Sequence, residues 1–578
     1  MGKELWRKYQ GRTLIGMATK VVEVFFEILT PIIVAQMIDV GVANHDAPYV
    51  LQHGALLILF AGIGYCFTLI CQRMAALVSQ GVGTDLRRAL FKKINSFGAA
   101  EVDTFSTPTL VTRITNDVNQ VQLAIAMSIR QFVRWPLLAI GSIIASFLID
   151  WQLGLIFLCC TLIVALVFYL VMRKSIPYYT QMQEKLDHIS LVTREALSGV
   201  RVIRVFRRED TEYDRFKDAA QDQRDTAITV GKLSSILNPV SYLIMNLGVV
   251  AVLWAGGFKV DVGVLQQGEI VAFVNYMALT LTSIAYVANL IILINRGIVS
   301  AHRIREVLHT EPAVKYESTH PVELEMLSTT VPAINFHDVS FSYGKGKPAL
   351  AHVDLSLGQG QTLGIIGGTG SGKSTFVNLL TRLYDADEGS IDVLGTPIKA
   401  WPQEQLRQAV SCVPQDAHLV SGTIRSNLTW RKSDATNEEL MRAVQLAQAT
   451  DVVESKKHGL DEEAESGGKN FSGGQRQRLT IARALVGDPR IIVLDDAASA
   501  LDFETDAKLR RALAGLRPRL TQVIISQRVS AVMGADEILV LHHGKVVGLG
   551  KHQELYESCP IYHEICDSQL KGGEVHYV

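Results

Sequence analysis

The sequence has almost no net charge, few cysteines and, after residue 330, no long apolar run. Its 56 lysines and arginines balance 57 aspartates and glutamates. This balance lacks the basic surplus that is typical of nucleic-acid-binding domains, so we expect no nucleic-acid partner. The seven cysteines show no zinc-ligand spacing, which favours buried free thiols over a disulfide or metal framework. The N-terminal region lacks a short apolar segment with a small-residue cleavage site, so no cleaved signal peptide is expected.

Apolar residues are instead concentrated in residues 1–300, which contain six long hydrophobic segments. A helix needs about 20 apolar residues to cross the hydrocarbon core of a bilayer. The segments lie near 13–39, 54–72, 121–149, 151–172, 233–258 and 270–295. The sequence therefore predicts an all-α, multi-pass domain of six helices in a lipid bilayer, followed by a soluble half.

The charges of the connecting segments predict the orientation of these helices. The connections 73–120 and 173–232 are long and rich in arginine and lysine, whereas 40–53 has neither residue and 258–269 has only Lys259. Since basic connections stay in the cytoplasm, the N-terminus and the soluble half are expected on the cytoplasmic side. Helical periodicity continues into both basic connections, so helices 2 to 5 should extend into the cytoplasm and turn near 100–108 and 206–214.

A glycine-rich loop at 367–375, GGTGSGKST, fits the phosphate-loop pattern G-x4-GK[ST]. A strand-like run precedes the loop and a helix-like run follows it, as this pattern requires. Backbone N–H groups of such a loop surround phosphate oxygens, while its lysine reaches the phosphates and its serine ligates Mg²⁺. The residues expected to contact ATP are Gly367, Thr369, Gly370, Ser371, Gly372, Lys373, Ser374 and Thr375.

A second apolar run, IIVLDD at 491–496, ends in two acidic residues. Its continuous apolar character is typical of a parallel strand that is covered on both faces. Acidic residues at the C-terminal end of such a strand lie at the ligand crevice of the sheet. We therefore expect Asp495 on the Mg²⁺ side of the nucleotide and Asp496 where the attacking water is polarised.

Together these motifs resemble a half-transporter of the ATP-binding cassette exporter class. The resemblance covers essentially the whole chain, and the motifs occur in the family's order. It implies an exporter-type six-helix membrane domain at 1–300, a linker at 301–332 and an α/β nucleotide-binding domain at 333–578. It also implies that the chain is an ATP hydrolase coupled to transport, with ATP and Mg²⁺ as cofactors.

The resemblance assigns roles to further residues of the soluble half. Tyr343 matches the aromatic residue that stacks on adenine, and Gln415 matches the loop glutamine that contacts Mg²⁺, so that the metal set is Ser374, Gln415 and Asp495. Asp502, in SALD at 499–502, matches a loop that reaches across the dimer. In this family the signature motif binds the ATP that the opposite subunit holds. The matching signature residues are Phe471, Ser472, Gly473, Gly474 and Gln475.

Two catalytic positions depart from the family pattern. Asp496 stands where a glutamate is expected, and Gln527 stands where a histidine is expected. Phosphoryl transfer depends on positioning and charge, so both changes should impair hydrolysis and leave ATP binding intact. The pair resembles the degenerate subunit of bacterial heterodimeric multidrug exporters. The expected partner is a second, similar chain with Glu and His at these positions; the alternative is a homodimer with slow hydrolysis.

Polar residues within the apolar segments mark a candidate substrate path. Lys20, Glu23 and Glu27 lie on one face of the first helix, and buried charge in a membrane usually marks a cavity, a pair or a pathway. Glu23 and Glu27, with Asn246 and Asn275, are candidates to contact a small hydrophobic or amphipathic substrate. The alternative is pairing between helices, with Arg73 or a group of the partner chain as the cation for Glu27.

The predicted protein is thus an exporter subunit in the cytoplasmic membrane of a bacterium. Two other functions fit the same sequence: an ATP-gated channel or regulator, which the impaired site would permit, and an importer built on the same fold.

Overall fold

The computed structural model describes residues 2–316, 322, 331–344, 346–516 and 520–570. Most of the predicted linker beyond residue 316, including Pro321, lies outside the described residues. The chain divides into two compact units. Unit 1 comprises Met1–Asn95 and Pro108–Thr310, and unit 2 comprises Ser96–Thr107 and Glu311–Val578.

All described secondary-structure elements of unit 1 are helices, and they form six helical spans that are long and apolar enough to cross a membrane. These are numbered span 1 to span 6 and run over Glu4–Val42, Ala47–Ile94, Thr107–Ile149, Trp151–Ser198, Glu209–Asp261 and Gln267–His309. The six predicted membrane helices are therefore confirmed. Span 6 continues to His309, inside the range predicted as a linker.

The spans are built from nine helices and three short π-helical turns, and a tenth helix, α8, lies between spans 4 and 5. The helices of unit 1 are α1 (Gly2–Gln36), α2 (Ala47–Ile94), α4 (Thr107–Thr112), α5 (Val118–Met127), α6 (Arg134–Ile149), α7 (Trp151–Ser198), α8 (Val200–Val205), α9 (Glu209–Ser235), α10 (Leu237–Asp261) and α11 (Gln267–His309), whereas α3 (Ala99–Phe105) belongs to unit 2. The π-helical turns are Met37–Val42, which ends span 1, and Arg113–Asp117 and Ser128–Phe132, which interrupt span 3. Such turns add one residue to a helical turn and are frequent at functional sites.

The turn between spans 3 and 4 is as short as the sequence predicts. Asp150 separates the two helices, and its Oδ1 atom accepts the backbone N–H groups of Gln152 and Leu153 at 2.9 Å. The same carboxylate accepts a hydrogen bond from the ammonium of Lys259, near the C-terminal end of span 5. An aspartate at this position satisfies N–H groups that have no partner within the helix.

Unit 2 contains the α/β fold that was predicted for the soluble half. Its main sheet has six strands in the order β12-β11-β3-β10-β9-β6, all parallel except the edge strand β12. A second, antiparallel sheet has the order β2-β1-β4-β5, and β7 pairs with β8. The strands are β1 (Ile334–Phe341), β2 (Leu350–Leu357), β3 (Thr362–Ile366), β4 (Glu388–Val393), β5 (Thr396–Pro397), β6 (Val410–Val413), β7 (Gly422–Thr423), β8 (Glu463–Ala464), β9 (Ile491–Asp495), β10 (Thr521–Ile525), β11 (Glu537–His542) and β12 (Lys545–Gly550).

Helices cover these sheets. They are α12 (Lys373–Leu380), α13 (Gln403–Ala409), α14 (Ile424–Leu428), α15 (Asn437–Leu446), α16 (Thr450–Glu454), α17 (Gly473–Leu485), α18 (Phe503–Ala514), α19 (Val529–Val532), α20 (His552–Ser558) and α21 (Pro560–Leu570). Strand β9 is fully buried along Ile491–Leu494 and pairs in parallel with β10 and β6. This confirms the buried parallel strand predicted at 491–496.

Helix α3 joins unit 2 through two acidic side chains. Glu101 is buried, and its two carboxylate oxygens accept the backbone N–H groups of Gly98 at 2.7 Å and Ala313 at 2.8 Å. Asp103 accepts a hydrogen bond from the hydroxyl of Tyr384. Burial, together with this neighbouring carboxylate, raises the pKa of Tyr384, so the hydroxyl stays protonated and remains a donor. The predicted turn near 100–108 is therefore a short helix held by defined polar contacts.

Candidate functional site

The glycine-rich loop joins β3 to α12 at the C-terminal edge of the main sheet. Gly370 and Gly372 have positive φ angles of 76° and 105°, and a Cβ atom on Gly372 would lie 2.7 Å from the carbonyl oxygen of Ala349. Glycine is therefore required at residue 372 by both conformation and space. The Lys373 ammonium donates to the carbonyl oxygens of Gly367 and Gly368, each at 2.8 Å. The loop thus has the tight curvature that lets backbone N–H groups converge on an anion.

The sheet brings the lysine of this loop close to the two acidic residues after β9. Burial lowers the pKa of Lys373, and the charges of Asp495 and Asp496 oppose that shift. Burial likewise raises the pKa of Asp495; Asp496 adds to this shift and Lys373 opposes it. The three groups therefore act on one another electrostatically, as the sequence motifs require. Exposed Ser374, in the first turn of α12, and exposed Gln415, after β6, complete the predicted metal set.

The backbone around Asp496 is fixed on both sides. Its φ angle is 48°, in the left-handed region, where aspartate is tolerated better than most residues. Its N–H group donates to the carbonyl oxygen of Ile525 at 2.9 Å, and its own carbonyl oxygen accepts from the N–H group of Ser499 at 3.1 Å. Strand β10 therefore fixes the position of the Asp496 Cα atom, which limits where the carboxylate can lie.

The predicted signature residues open helix α17. The Ser472 hydroxyl accepts the N–H group of Gln475 at 3.3 Å, while the Gln475 side chain accepts the N–H group of Ser472 at 3.0 Å. This reciprocal capping box fixes the start of the helix. A Cβ atom built on Gly473 would meet no atom of the described residues within 4 Å, whereas one on Gly474 would lie 3.1 Å from the carbonyl oxygen of Ala500. The helix start is therefore rigid, and it has open space at Gly473.

Two other predicted site residues lie on the surface of unit 2. Tyr343 is 45% exposed, and its hydroxyl accepts a hydrogen bond from the Asn378 amide at 3.0 Å. Asp502 caps helix α18 by accepting the N–H group of Thr505 at 2.9 Å, and the hydrogen bonds from Thr505 lower the pKa of Asp502. Both side chains are therefore held in place by the chain itself.

Known protein families match both the helical part and the nucleotide-binding part of this chain. A family model described as the ABC transporter transmembrane region matches residues 13–284, and a model described as ABC transporter matches residues 350–499. An uncharacterized ABC transporter ATP-binding protein of Mycobacterium tuberculosis is 34% identical over 573 residues, which are 98% of each chain. The chain belongs to the ATP-binding cassette transporter family. Its two family regions make it an exporter-type half-transporter with an ATPase domain.

Other similar proteins cover the same range of the chain. YfiB of Bacillus subtilis, also named as an uncharacterized ABC transporter ATP-binding protein, is 36% identical over 98% of this chain and 97% of its own length. The ATP-dependent lipid A-core flippase of Desulfotalea psychrophila is 33% identical over 85% of this chain and 84% of its own length. A solved bacterial Atm1-family ABC exporter with ATP bound has a TM-score of 0.76 at 22% identity, and the match covers 100% of this chain and 99% of that one. The predicted fold is thereby confirmed.

The structure also shows a contact to the transporter's Gln527 segment that the sequence does not predict. Gln527 is exposed and follows β10. The side-chain amide of Gln569, in α21, donates to the carbonyl oxygen of Gln527 at 2.8 Å and accepts the N–H group of Val529 at 2.8 Å. Helix α21 is anchored by Tyr562 and Cys566, both fully buried. Gln569 therefore holds the backbone of the Gln527 segment from the C-terminal end of the described chain.

We expect Gln569→Ala to loosen this segment selectively. Each of the two hydrogen bonds contributes about 1 kcal/mol, so amide hydrogen exchange over 527–532 should accelerate by roughly tenfold to thirtyfold. Hydrogen exchange followed by mass spectrometry measures this change. Gln553→Ala, which removes an exposed glutamine of α20, is the matched control; equal exchange in the two variants would contradict the role of Gln569.

In unit 1, the structure brings two of this transporter's candidate substrate-path residues together, because Glu23 and Glu27 both accept hydrogen bonds from Arg134. Asn246 is exposed on α10, and Asn275 donates to the carbonyl oxygen of Val271 in its own helix at 3.0 Å. Glu27 accepts a hydrogen bond from Arg134 of span 3 at 2.9 Å. The pairing between helices that the sequence left as an alternative is therefore present, with Arg134 rather than Arg73 as the cation for Glu27.

Proposed function

We propose that this half-transporter is one subunit of a heterodimeric, ATP-driven exporter. It contributes an impaired ATP site through its own phosphate loop and an intact signature for the ATP of its partner. The observation that carries this proposal is the contrast between two sets of residues. The signature is capped and rigid, whereas the two hydrolysis positions carry Asp496 and Gln527.

The backbone contacts of Asp496 support an impaired site. Aspartate is one methylene shorter than glutamate, which displaces the carboxylate by about 1.5 Å, and a displacement of about 1 Å can reduce a rate by roughly 10²-fold. Its hydrogen bonds with Ile525 and Ser499 hold the residue on both sides. The main chain therefore has little freedom to move the carboxylate forward and compensate for the missing methylene.

The side chain of Gln527 removes a second catalytic property. A glutamine donates a hydrogen bond to a γ-phosphate, but unlike histidine it has no titrating ring nitrogen to carry a proton or a charge. Gln569 holds the backbone of this residue in place. The segment is therefore suited to hold ATP rather than to turn it over.

Mg²⁺ is proposed to enter this site together with the nucleotide. Ser374, Gln415 and Asp495 would supply a hydroxyl, an amide and a carboxylate, all of them oxygen ligands that suit Mg²⁺. Within the described ranges, no group of three or more His, Cys, Asp or Glu side chains is placed to hold a metal ion. Because the protein offers few charged ligands, phosphate oxygens would complete the coordination of the ion.

The membrane half is proposed to lie in a bacterial cytoplasmic membrane with both termini and unit 2 in the cytoplasm. The distribution of basic connections supports this orientation. The exported compound is proposed to be hydrophobic or amphipathic. The similarity to a lipid A-core flippase over most of both chains supports an amphipathic substrate.

The deciding measurement is ATPase activity of this chain purified alone and after co-expression with a similar chain that carries Glu and His at the two positions. We expect near-zero activity alone and robust activity of the pair, because only the pair contains a competent site. Strong activity of the single chain, lost in Asp496→Asn, would contradict the heterodimer. It would show that Asp496 is a competent catalytic carboxylate.

A further inference from the structure

Five charged residues of spans 1 and 3 lie close together within the membrane-spanning length of unit 1. They are Lys20, Glu23, Glu27, Arg130 and Arg134, and we call them the charged cluster. At about 1.5 Å per residue, Glu27 lies about 22 Å along span 1 from Val42, and Arg134 lies about 22 Å along span 3 from Ile149. The hydrocarbon core is about 30 Å thick. Glu27 and Arg134 therefore lie in the half of the membrane away from the loop at 40–53, and Lys20 and Arg130, about 33 Å and 28 Å from the same span ends, lie at the far edge of that half.

Both carboxylates of the charged cluster are engaged by cations. Glu23 accepts hydrogen bonds from Lys20 at 2.5 Å and from Arg134 at 3.3 Å. Glu27 accepts from the other terminal nitrogen of Arg134 at 2.9 Å. The sequence suggested that these acids could meet cationic compounds, but their charges are already matched by groups of the same chain.

The charged cluster contains one more cation than it has carboxylates, and the additional cation is Arg130. Its Nε atom is buried, and within the described part of the chain this side chain has neither an ion-pair nor a hydrogen-bond partner. It lies four positions before Arg134 in span 3, and Lys20, Glu23 and Arg130 all act electrostatically on the buried Cys71 thiol. The charged cluster therefore contains three cations and two carboxylates, and its net charge is +1.

The surroundings of the charged cluster fit an amphipathic molecule rather than a small ion. The Arg134 guanidinium lies 4.9 Å from the ring centre of Trp135, and this ring stacks on Tyr286 of span 6 at 4.2 Å. The side chains of Arg134 and Glu27 remain 26% and 28% exposed in the single chain. Exposed charge at this depth faces a water-filled cavity or a protein partner, since hydrocarbon does not solvate it.

We propose that the charged cluster binds the anionic head group of an amphipathic substrate, with Arg130 as the charge-matching residue and the Trp135–Tyr286 pair against the apolar part. This proposal rests on the export function proposed above and specifies its substrate class. An unpaired guanidinium in a membrane requires a counter-charge, and guanidinium pairs well with phosphate or carboxylate oxygens. Such an anion could be a soluble amphiphile or a lipid of the bilayer itself.

The test measures ligand binding without nucleotide, so its outcome does not depend on hydrolysis. The full chain, in nanodiscs of zwitterionic lipid, is titrated with oleoyl lysophosphatidic acid or oleoyl lysophosphatidylcholine, which share an acyl chain. Trp135 fluorescence reports binding, with Trp135→Phe identifying its signal. We expect lysophosphatidic acid to bind roughly tenfold more tightly than lysophosphatidylcholine, because one charge-assisted contact gives a discrimination of about this size.

Variants assign this preference to Arg130. Arg130→Gln should abolish the preference for the anionic ligand, and Arg130→Lys should keep part of that preference. Arg173→Gln, at an exposed arginine of span 4, should keep the full preference.

The lipid composition of the nanodisc distinguishes the two sources of the anion. Nanodiscs that contain anionic phospholipid should weaken binding of the anionic ligand if a bilayer lipid occupies the site, and leave this binding unchanged if the ligand is a soluble amphiphile. Equal binding of the two ligands, or unchanged preference in Arg130→Gln, would overturn the proposal. Absent ATPase activity of the co-expressed pair would instead count against the export function.

Discussion

Replacing Asp496 with glutamate and Gln527 with histidine together should raise the ATPase rate of the purified chain by about 10²-fold, the loss that a displaced catalytic group typically causes. The remaining parts of the site are present: the curved phosphate loop, Lys373 beside Asp495, and an intact signature. A homodimer of the variant would therefore contain two complete sites. Phosphate release at saturating ATP and Mg²⁺ is the measurement.

Single variants and a loop variant make this experiment specific. Asp496→Glu alone should recover most of the rate and Gln527→His alone little, because the carboxylate orients the attacking water. Adding Lys373→Ala should abolish the recovered activity, which places it in this chain's own loop. An unchanged rate in the double variant would show that some other part of the site, rather than these two residues, prevents hydrolysis.

Gly473→Ala should reduce the ATPase rate of the co-expressed pair by about 10²-fold while the chain itself remains stable. A methyl group on Gly473 meets no atom of the described residues within 4 Å, and its φ angle is not positive. The chain therefore has no steric reason to unfold, and alanine is a better helix former than glycine. The methyl would instead occupy the space where the partner's ATP approaches, and a misplacement of about 1 Å has an effect of this size.

Two measurements separate these effects. Thermal unfolding of the variant should match that of the parent chain, whereas phosphate release by the pair should fall. Gly534→Ala is the matched control, because a Cβ atom there also meets nothing within 4 Å. If both variants hydrolyse ATP at the parental rate, the signature of this chain does not contact a working site.

Features that depend on residues close together in the sequence could be predicted from the sequence alone. The six spans, the phosphate loop and the buried strand ending at Asp495 were predictable because apolar runs and glycine spacing are local signals. The capping box of Ser472 and Gln475 lies within four consecutive residues. These features needed no knowledge of which distant segments meet.

Interactions between distant residues were not predictable in this way. The partner of Glu27 lies 107 positions away, and nothing near Arg134 identifies it as that partner. Gln569 lies 42 positions from Gln527 in an otherwise ordinary amphipathic helix. The left-handed backbone of Asp496 depends on its contact with β10. Each of these features is a product of tertiary packing, which overrides local sequence preference.

The division of unit 2 between two stretches of sequence has a consequence for biosynthesis. Helix α3 leaves the ribosome long before the residues it contacts, since Asp103 and Tyr384 are 281 positions apart. Domains generally fold as they are synthesised, from the N-terminal end. While the 212 positions from Glu101 to Ala313 are being synthesised, the Glu101 carboxylate therefore has no Ala313 N–H group to bind. Unit 2 becomes complete only when its C-terminal part has been synthesised and contacts the segment that joins spans 2 and 3.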